Sequence, residues 1–555
     1  MNKYLSKLKR QHLIILLILA FIALLSIFPA ALGNFVYWQD DIHFHVNRLE
    51  SYTEALKHLD FFPRIFSSMG NNFGYAADLF YPSILLTPYG LFRLLGCNFS
   101  QAFYLFHFTV SFVTALIAFL CCKKFGQPAK VSLLFSAFYT LSTYRLIDQN
   151  VRGALGETIA FAFIPLVFYA LQQILFAKKN NWLLLASSLT FLIASHLITA
   201  FYTVIAVIIF FGIWTLNAKK TAIKLAFITL VKAAAATLLF SAWFWLPYLE
   251  QVSAIEFNFS KTSLWSSGLD FSLGTLLQNT ISNAGRSADG LEPNFGILIL
   301  IAIIAGLLLF KKISKTEKLL LAITIVFILL STNLFFWSLF KDTFLAVVQF
   351  PWRLLIFASF FGSLLAALLV SRLINLENKF NFILAMWAIC FLTISFNGNV
   401  YARSEYNRSS FLDNENYTEF DSSQLGHGKE YIKKDTPANY LLQNPYPKIN
   451  NFHQYRTLIT HSYQKDTYEL TTTDATALEL PKFYYLGYQI EVNGTPTDYY
   501  EQNGVIGIDV PAGENKIEVV YGGTEIQRYG IWLSLGSLMI ISIWKIALYL
   551  KTKKV

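Results

Sequence analysis

Charge is what this sequence has least of. Of its 555 residues only 14% are Asp, Glu, Lys or Arg, against about a quarter in an ordinary soluble domain. So sparse a set cannot cover a water-facing surface, which excludes a large soluble enzyme and turns most of the surface to lipid. Cysteine is scarce as well. Cys97, Cys121, Cys122 and Cys390 lie in or beside apolar segments. They show no metal-binding spacing, and none falls in the polar stretch 398–527, which therefore has no disulfide framework. There is no P-loop, no G-x-S-x-G, no H-E-x-x-H and no dinucleotide fingerprint. That argues against an ATP-driven pump and against a nucleotide cofactor. Internal repeats and low-complexity tracts are missing too.

What is present is apolar. Hydrophobic residues make up 55% of the chain and mean hydropathy is +0.46. Runs near 12–32, 101–122, 129–146, 157–176, 181–198, 199–216, 224–247, 294–310, 317–335, 351–372, 380–397 and 529–549 predict about twelve membrane helices. The first follows a basic start, Met1–Arg10, but is longer than a signal h-region and reads as an uncleaved helix.

Net charge is +10, and most of the excess sits in clusters between the runs: Lys123–Lys124, Lys178–Lys179, Lys219–Lys220, Lys311–Lys312, and Lys551, Lys553 and Lys554. With the N-terminus inside, every cluster falls on the cytoplasmic side, as short cytoplasmic loops require. The polar stretches 33–100, 145–156, 248–293 and 398–527 then fall outside. This accounts for the basic balance without nucleic acid, for which there is no motif. The expectation is a multi-pass cell-membrane protein with both termini cytoplasmic. Residues 80–96 are apolar but short, with Pro82, Pro88 and Gly90. They read as an interfacial or re-entrant helix, and 336–349 invites the same caution.

Residues 398–527 change character. Tyr488–Val492, the pair Asn493-Gly494, the run Gly504–Val510 and the run Lys516–Tyr521 alternate as strands, and Asn-Gly between such runs marks a hairpin. The predicted architecture is a polytopic α-helical membrane protein with a C-terminal extracytoplasmic β-sandwich-like domain before the last helix. Its parts are a transmembrane domain over 1–397 with first external loop 33–100, a β-rich domain over 398–527, and a final helix with basic tail over 528–555.

Chemistry concentrates in three places. The first is Trp38–Leu49. Read as a helix, Asp41, His45 and Arg48 share one face and Ile42, Val46 and Leu49 another. Such a helix would lie on the outer membrane surface with its apolar side in lipid. Its polar side would suit a site handling phosphate, since guanidinium pairs with phosphate oxygens and a carboxylate holds a divalent cation or takes a proton. The same pattern fits a solvated amphipathic helix. His43 and His45 sit at i, i+2, off a common face, which argues against structural zinc. Arg64 and Asp78 lie further along the same loop.

The second is the expected external loop after Tyr144, with Arg145, Asp148, Arg152 and Glu157. Here Glu157 also suits a helix start and the arginines suit snorkelling. The third is Gln349-Phe-Pro-Trp-Arg353, where Pro351 opens a helix and Arg353 falls about one turn into the membrane. An arginine there points to a cavity or partner, or snorkels to headgroups. His196, at a turn between two helices, reads as a hydrogen-bonded packing residue.

At these residues the sequence resembles the GT-C superfamily of membrane glycosyltransferases. More closely it resembles the bacterial membrane proteins labelled "6-pyruvoyl-tetrahydropterin synthase-related" and the YfhO-like proteins. The matching pieces are Asp41-Ile-His-Phe-His-Val-Asn-Arg48-Leu, Phe62-Pro-Arg64, Gly153-Ala-Leu-Gly-Glu157 with Phe163-Ile-Pro165, Gln349-Phe-Pro-Trp-Arg353, and the β-rich stretch from Gly487 to Asn515. They span nearly the whole chain, though each is short, and nothing matches a soluble pterin enzyme.

The resemblance implies a polyprenyl-phosphate-linked sugar donor and transfer outside the membrane to a cell-envelope polymer. It makes Asp40 or Asp41 the base or a ligand for a divalent cation (Mg or Mn), and Arg64, Arg152 and Arg353 candidates for the leaving phosphate. No HPP-type motif follows the first loop, as it does in some relatives. A transporter or flippase of lipid-linked sugars is the alternative, and a non-catalytic envelope assembly protein a third. The charges gather at the expected outer face and no inverted repeat is present, which favours surface chemistry.

Overall fold

The computed structural model describes residues 2–33, 35–260, 271–287, 290–340, 343, 345–346, 349–406, 412–413, 425–426, 428–450 and 452–553. Lys554 of the expected basic tail and parts of 336–349 and 398–527 lie outside these.

Helices dominate, and among the described residues eight are long and apolar enough to cross a membrane: Arg10–Ile27, Phe99–Lys124, Leu155–Leu175, Leu197–Thr215, Lys220–Phe240, Pro351–Leu373, Lys379–Arg403 and Glu525–Ala547. Each coincides with an expected run. The other four expected spans are also helical but shorter, at Ala129–Thr140, Trp182–Ser195, Ile297–Leu308 and Lys315–Leu330. These have 12 to 16 residues, fewer than the ~20 that reach across a hydrocarbon core without help. Residues 80–96 form an apolar helix only over Ile84–Leu94, too short to span.

The chain clusters into two units. The first holds Met1–Ile42, Leu95–Leu230 and Ser263–Thr418, and the second His43–Leu94, Val231–Thr262 and Glu419–Val555. This cut differs from the linear division expected at 397 and 527.

The first unit is a helical bundle. Interhelical hydrogen bonds such as Ser136 Oγ to the Ala115 carbonyl (2.7 Å) help knit it. Its span Leu155–Leu175 is interrupted: helix Leu155–Ala160 gives way to Ile164–Leu175, which opens with Pro165. Proline suits a first helical turn, where its missing N–H is not needed.

The second unit contains the β-rich part, in two antiparallel five-stranded sheets. One runs Thr495–Pro496, Tyr488–Val492, Gly513–Tyr521, Lys465–Thr472, Leu458–Ser462. The other runs Tyr500–Gln502, Val505–Val510, Thr476–Phe483, Lys448–Ile449, Phe452–His453. The hairpin predicted at Asn493-Gly494 joins two paired strands, and burial along Tyr488–Val492 alternates as a one-sided strand demands.

The first-loop residues fold onto these sheets. The Phe483 N–H donates to the Phe73 carbonyl (3.0 Å), Gln464 Nε2 to the Ile65 carbonyl (2.8 Å), and Tyr463 OH to Asp60 Oδ2 (2.9 Å). Helix Ala242–Ala254 packs on the last helix, with the Trp243 N–H donating to Ser534 Oγ (2.9 Å). These bonds are why the loop belongs with the β-rich segment rather than with the bundle.

Candidate functional site

The expected external loop after Tyr144 is a buried plug. The chain runs through a short helix, Thr143–Ile147, into one turn of π-helix, Asp148–Arg152, and every residue from Tyr144 to Arg152 is buried. The arginines there do not snorkel. A π turn is a wide, uncommon element that recurs at functional sites.

Gly153 ends the turn at φ +68°, and a Cβ on it would lie 2.6 Å from the Gln39 side chain. Only glycine lets the segment before the first-unit boundary approach so closely. That segment is hydrogen-bonded along the turn. The Asp41 N–H donates to the Arg152 carbonyl (2.8 Å), the Asp40 N–H to the Val151 carbonyl (3.4 Å), and Gln39 Nε2 to the Gln149 carbonyl (3.3 Å).

Within the plug, charge is matched by charge. Arg152 Nη1 donates to Asp148 Oδ1 and to Glu157 Oε2, the latter at 2.9 Å. Arg353 Nε stands 3.6 Å from the same Glu157 oxygen. Tyr144 OH donates to Glu157 Oε1 at 2.7 Å, and Arg353 Nη1 to Gln349 Oε1 at 2.6 Å. The Arg152 guanidinium lies 4.7 Å from the Trp352 ring centre. The Asp148 and Glu157 side chains are 0% exposed.

Burial pushes the Asp148 carboxyl above the ordinary carboxylate range, and the neighbouring Glu157 adds to that push. Burial also opposes the Arg152 charge, but Asp148 and Glu157 outweigh it and hold its pKa well above the usual value. Arg145 is held separately, by the Thr140 carbonyl (3.1 Å) and Ser111 Oγ (3.0 Å). This set balances two carboxylates against two guanidiniums, while Asp148 Oδ2 and Arg353 Nε are buried with no hydrogen-bond partner.

What stays reachable is Asp40. Its Oδ1 accepts a hydrogen bond from Arg286 Nη2, and the two side chains are 34% and 39% exposed. Arg286 sits on a hairpin that pairs Arg286–Ser287 with Gly290–Leu291. Gly285 precedes it at φ +75°, where a Cβ would lie 3.1–3.2 Å from the Phe396 and Ile147 side chains, which belong to the apolar cluster beside the π turn. Sequence reasoning missed Arg286: it is one arginine in the polar stretch 248–293, and only the preceding glycine marks it. It also set aside His196. That imidazole bonds Thr199 Oγ1 (2.8 Å) and lies within electrostatic reach of Glu157.

The remaining candidates turn to partners inside the second unit. Helix Ile42–Lys57 starts one residue after Asp41, so the helical register that would place Asp41 with His45 and Arg48 is not complete. Ile42, Val46 and Leu49 are buried in protein rather than facing lipid, and His45 and Arg48 are buried too, while His43 is half-buried. The expected surface helix with a free polar side is therefore replaced by a helix packed on both sides.

Arg48 Nε donates to Ser83 Oγ (3.0 Å) and Nη2 to the carbonyls of Tyr81 (3.1 Å) and Pro82. Its guanidinium stacks 3.9 Å from the Tyr81 ring centre. Arg64 Nη2 donates to the Trp243 carbonyl (2.8 Å). Asp78 accepts from the Ser83 N–H (2.8 Å) and the Arg64 N–H (3.4 Å). Burial raises the Asp78 carboxyl and lowers both arginines.

Among the described residues no three His, Cys, Asp or Glu side chains gather as a metal site would require. Asp40 already faces a guanidinium, so Asp40 and Asp41 are a partial donor set. They do not by themselves fit a resident cation.

Fold and site together define a multi-pass helical membrane protein with a partly exposed ion pair beside a buried ionic plug. The chain belongs to the family described as "6-pyruvoyl-tetrahydropterin synthase related domain; membrane protein", whose model matches residues 84–403. The matched span includes Arg145, Asp148, Arg152, Glu157, Arg286 and Arg353 and begins after Asp40 and Asp41. An uncharacterized protein of Lactococcus lactis subsp. cremoris (strain MG1363) is 25% identical over 269 residues, 46% of this chain and 43% of the relative. The alignment thus spans less than half of that relative's length. The cryo-EM structure of the arabinofuranosyltransferase AftD from Mycobacteria superimposes with a TM-score of 0.42 and 15% identity, over 70% of this chain and 27% of that one.

Proposed function

We propose that this protein transfers a sugar from a polyprenyl-phosphate-linked donor to a cell-envelope glycopolymer or glycolipid, on the extracytoplasmic face, with both chain termini cytoplasmic. The observation that carries the reading is the Asp40–Arg286 pair, a carboxylate and a guanidinium both partly open to solvent. Beside them the Asp148, Arg152, Glu157 and Arg353 set is buried, and the main chain of the π turn holds the main chain that carries Asp40.

In the reaction the bond from the anomeric carbon to the phosphate oxygen breaks, and its electron pair leaves with the lipid phosphate. The acceptor oxygen forms the new glycosidic bond and gives its proton to Asp40, with Asp41 as the neighbouring carboxylate. A guanidinium beside the departing phosphate stabilises charge where it develops.

The test is transfer of labelled sugar from polyprenyl-phosphate donors to envelope polymer in membranes carrying the full chain. Asp40→Asn is expected to lose about 10²-fold or more of the rate while Asp41→Asn loses less. Donor-dependent transfer that neither change alters, with folded protein present, would end the catalytic reading and favour a flippase of lipid-linked sugars.

A further inference from the structure

We infer that Arg286 is an exchangeable latch: it holds Asp40 while the site is empty and moves to the phosphate of a lipid monophosphate when the donor arrives. The inference rests on the glycosyl-transfer reading above, and it names the group that recognises the donor's phosphate.

Four observations carry it. First, Arg286 Nη2 sits on Asp40 Oδ1, so that oxygen is open to an acceptor hydroxyl only when the arginine has moved off it. Second, Arg286 bonds Asp40 through one terminal nitrogen, and the pair is about one-third exposed on each side. Such a pair is weakly held in water, unlike the Arg152 and Arg353 guanidiniums, which are almost wholly buried against Glu157.

Third, the base of the Arg286 hairpin is fixed. A Cβ on Gly285 would lie only 3.1–3.2 Å from the Phe396 and Ile147 side chains, and the Glu292 N–H donates to the Gly285 carbonyl at 2.8 Å. The side chain can thus change partner without moving the hairpin. Fourth, no other arginine of the described first-unit site has comparable exposure: Arg145, Arg152 and Arg353 are all buried. A planar guanidinium is the side chain best suited to grip a phosphate with two donors.

The latch makes a prediction that a brace would not. If Asp40 and phosphate compete for Arg286, removing the Asp40 charge frees the arginine. Asp40→Asn then binds a polyprenyl monophosphate several-fold more tightly than the unaltered chain, although transfer is lost. Arg286→Ala binds it about tenfold or more weakly, the worth of one charge-assisted hydrogen bond, and Arg286→Lys recovers part of the loss. If the pair were only structural, both substitutions would weaken binding alike.

The experiment measures binding of polyprenyl monophosphate to the full chain in nanodiscs, with polyprenol, inorganic phosphate and phosphatidic acid as separate probes. Tighter binding by Asp40→Asn, weaker binding by Arg286→Ala and no change with polyprenol support the latch. Parallel losses in both variants overturn it. Equal effects with phosphatidic acid overturn its assignment to the donor and make it a general headgroup contact.

Binding is read without turnover, so it stands or falls separately from the transfer assay. Transfer that depends on Asp40 but shows the same donor KM in Arg286→Ala would keep the enzyme and remove the latch.

Discussion

In the helical unit the buried guanidinium of Arg152 is met by two carboxylates, Asp148 and Glu157, with Arg353 alongside. In the β-containing unit Arg48 is met by the carbonyls of Tyr81 and Pro82, and Arg64 by that of Trp243. The difference follows from where free acceptors exist. Inside a helix each carbonyl is committed to an N–H four residues on, so a buried cation must find a carboxylate.

Irregular chain and helix defects release carbonyls instead. Tyr81 and Pro82 lie between short helical turns. Trp243 stands four residues before Pro247, which lies inside helix Ala242–Ala254 and has no N–H to give it. Even in the helical unit, Arg145 uses the Thr140 carbonyl, at the end of helix Ala129–Thr140 where carbonyls are uncommitted.

The comparison breaks most visibly at Glu157. Glu157→Gln leaves Arg152 and Arg353 short of negative charge in a buried site. We expect a loss of about 3–5 kcal/mol, as when one partner of a buried pair is removed, read as reduced folded yield and a lower unfolding temperature in detergent. Adding Arg353→Met to that change is expected to restore part of the loss, because it removes the orphaned cation. An unaltered unfolding temperature in Glu157→Gln would mean that water or main chain already carries those charges.

Arg48→Met is expected to cost less, about 1–3 kcal/mol. It orphans carbonyls and the Ser83 hydroxyl but, unlike Glu157→Gln, no cation. A loss equal to that of Glu157→Gln would show that the Arg48 charge matters to Asp78 more than its hydrogen bonds do, and the contrast between the units would dissolve.

Much of this was legible in the sequence, and the rest had physical reasons for staying hidden. Eight spans were readable because length and hydropathy suffice for a helix in lipid. Arg145, Asp148, Arg152 and Glu157 were singled out as the charges of an expected external loop and Arg353 as an arginine one turn into the membrane, and four of the five do meet. The expected exposed loop around them was not found, because spacing cannot tell charges facing water from charges neutralising one another. Arg48, with Asp41 and His45, read as a polar face suited to phosphate for the same reason: a cation's partner can be a main-chain carbonyl, which leaves no mark in the side-chain pattern. Arg286 was invisible because its partner lies 246 positions away. The packing of the first loop on the sheets was equally long-range.

The finest test sets two carboxylates of the β-containing unit against each other by sign. Burial holds the Asp78 carboxyl above its ordinary value, against the pull of Arg64. The folded state therefore keeps its proton longer than the unfolded chain does. The stabilisation is fully present below the unfolded value of 3.8 and is lost as pH rises through the folded value. Asp78→Asn should remove that dependence.

Glu54 behaves oppositely. Its hydrogen bond from Lys57 Nζ (2.6 Å) pulls the carboxyl below its ordinary value. Its stabilisation is therefore present above the unfolded value of 4.5 and is lost as pH falls through the folded one. Both side chains of that pair are about half exposed, so solvent screening limits it to about 0.3–0.5 kcal/mol. Unfolding temperatures of the two variants against the unaltered chain, followed from about pH 3 to pH 7, should give difference curves of opposite slope, the Glu54→Gln curve much the shallower. Curves of the same slope would show that the Asp78 carboxyl is governed by Arg64 rather than by burial.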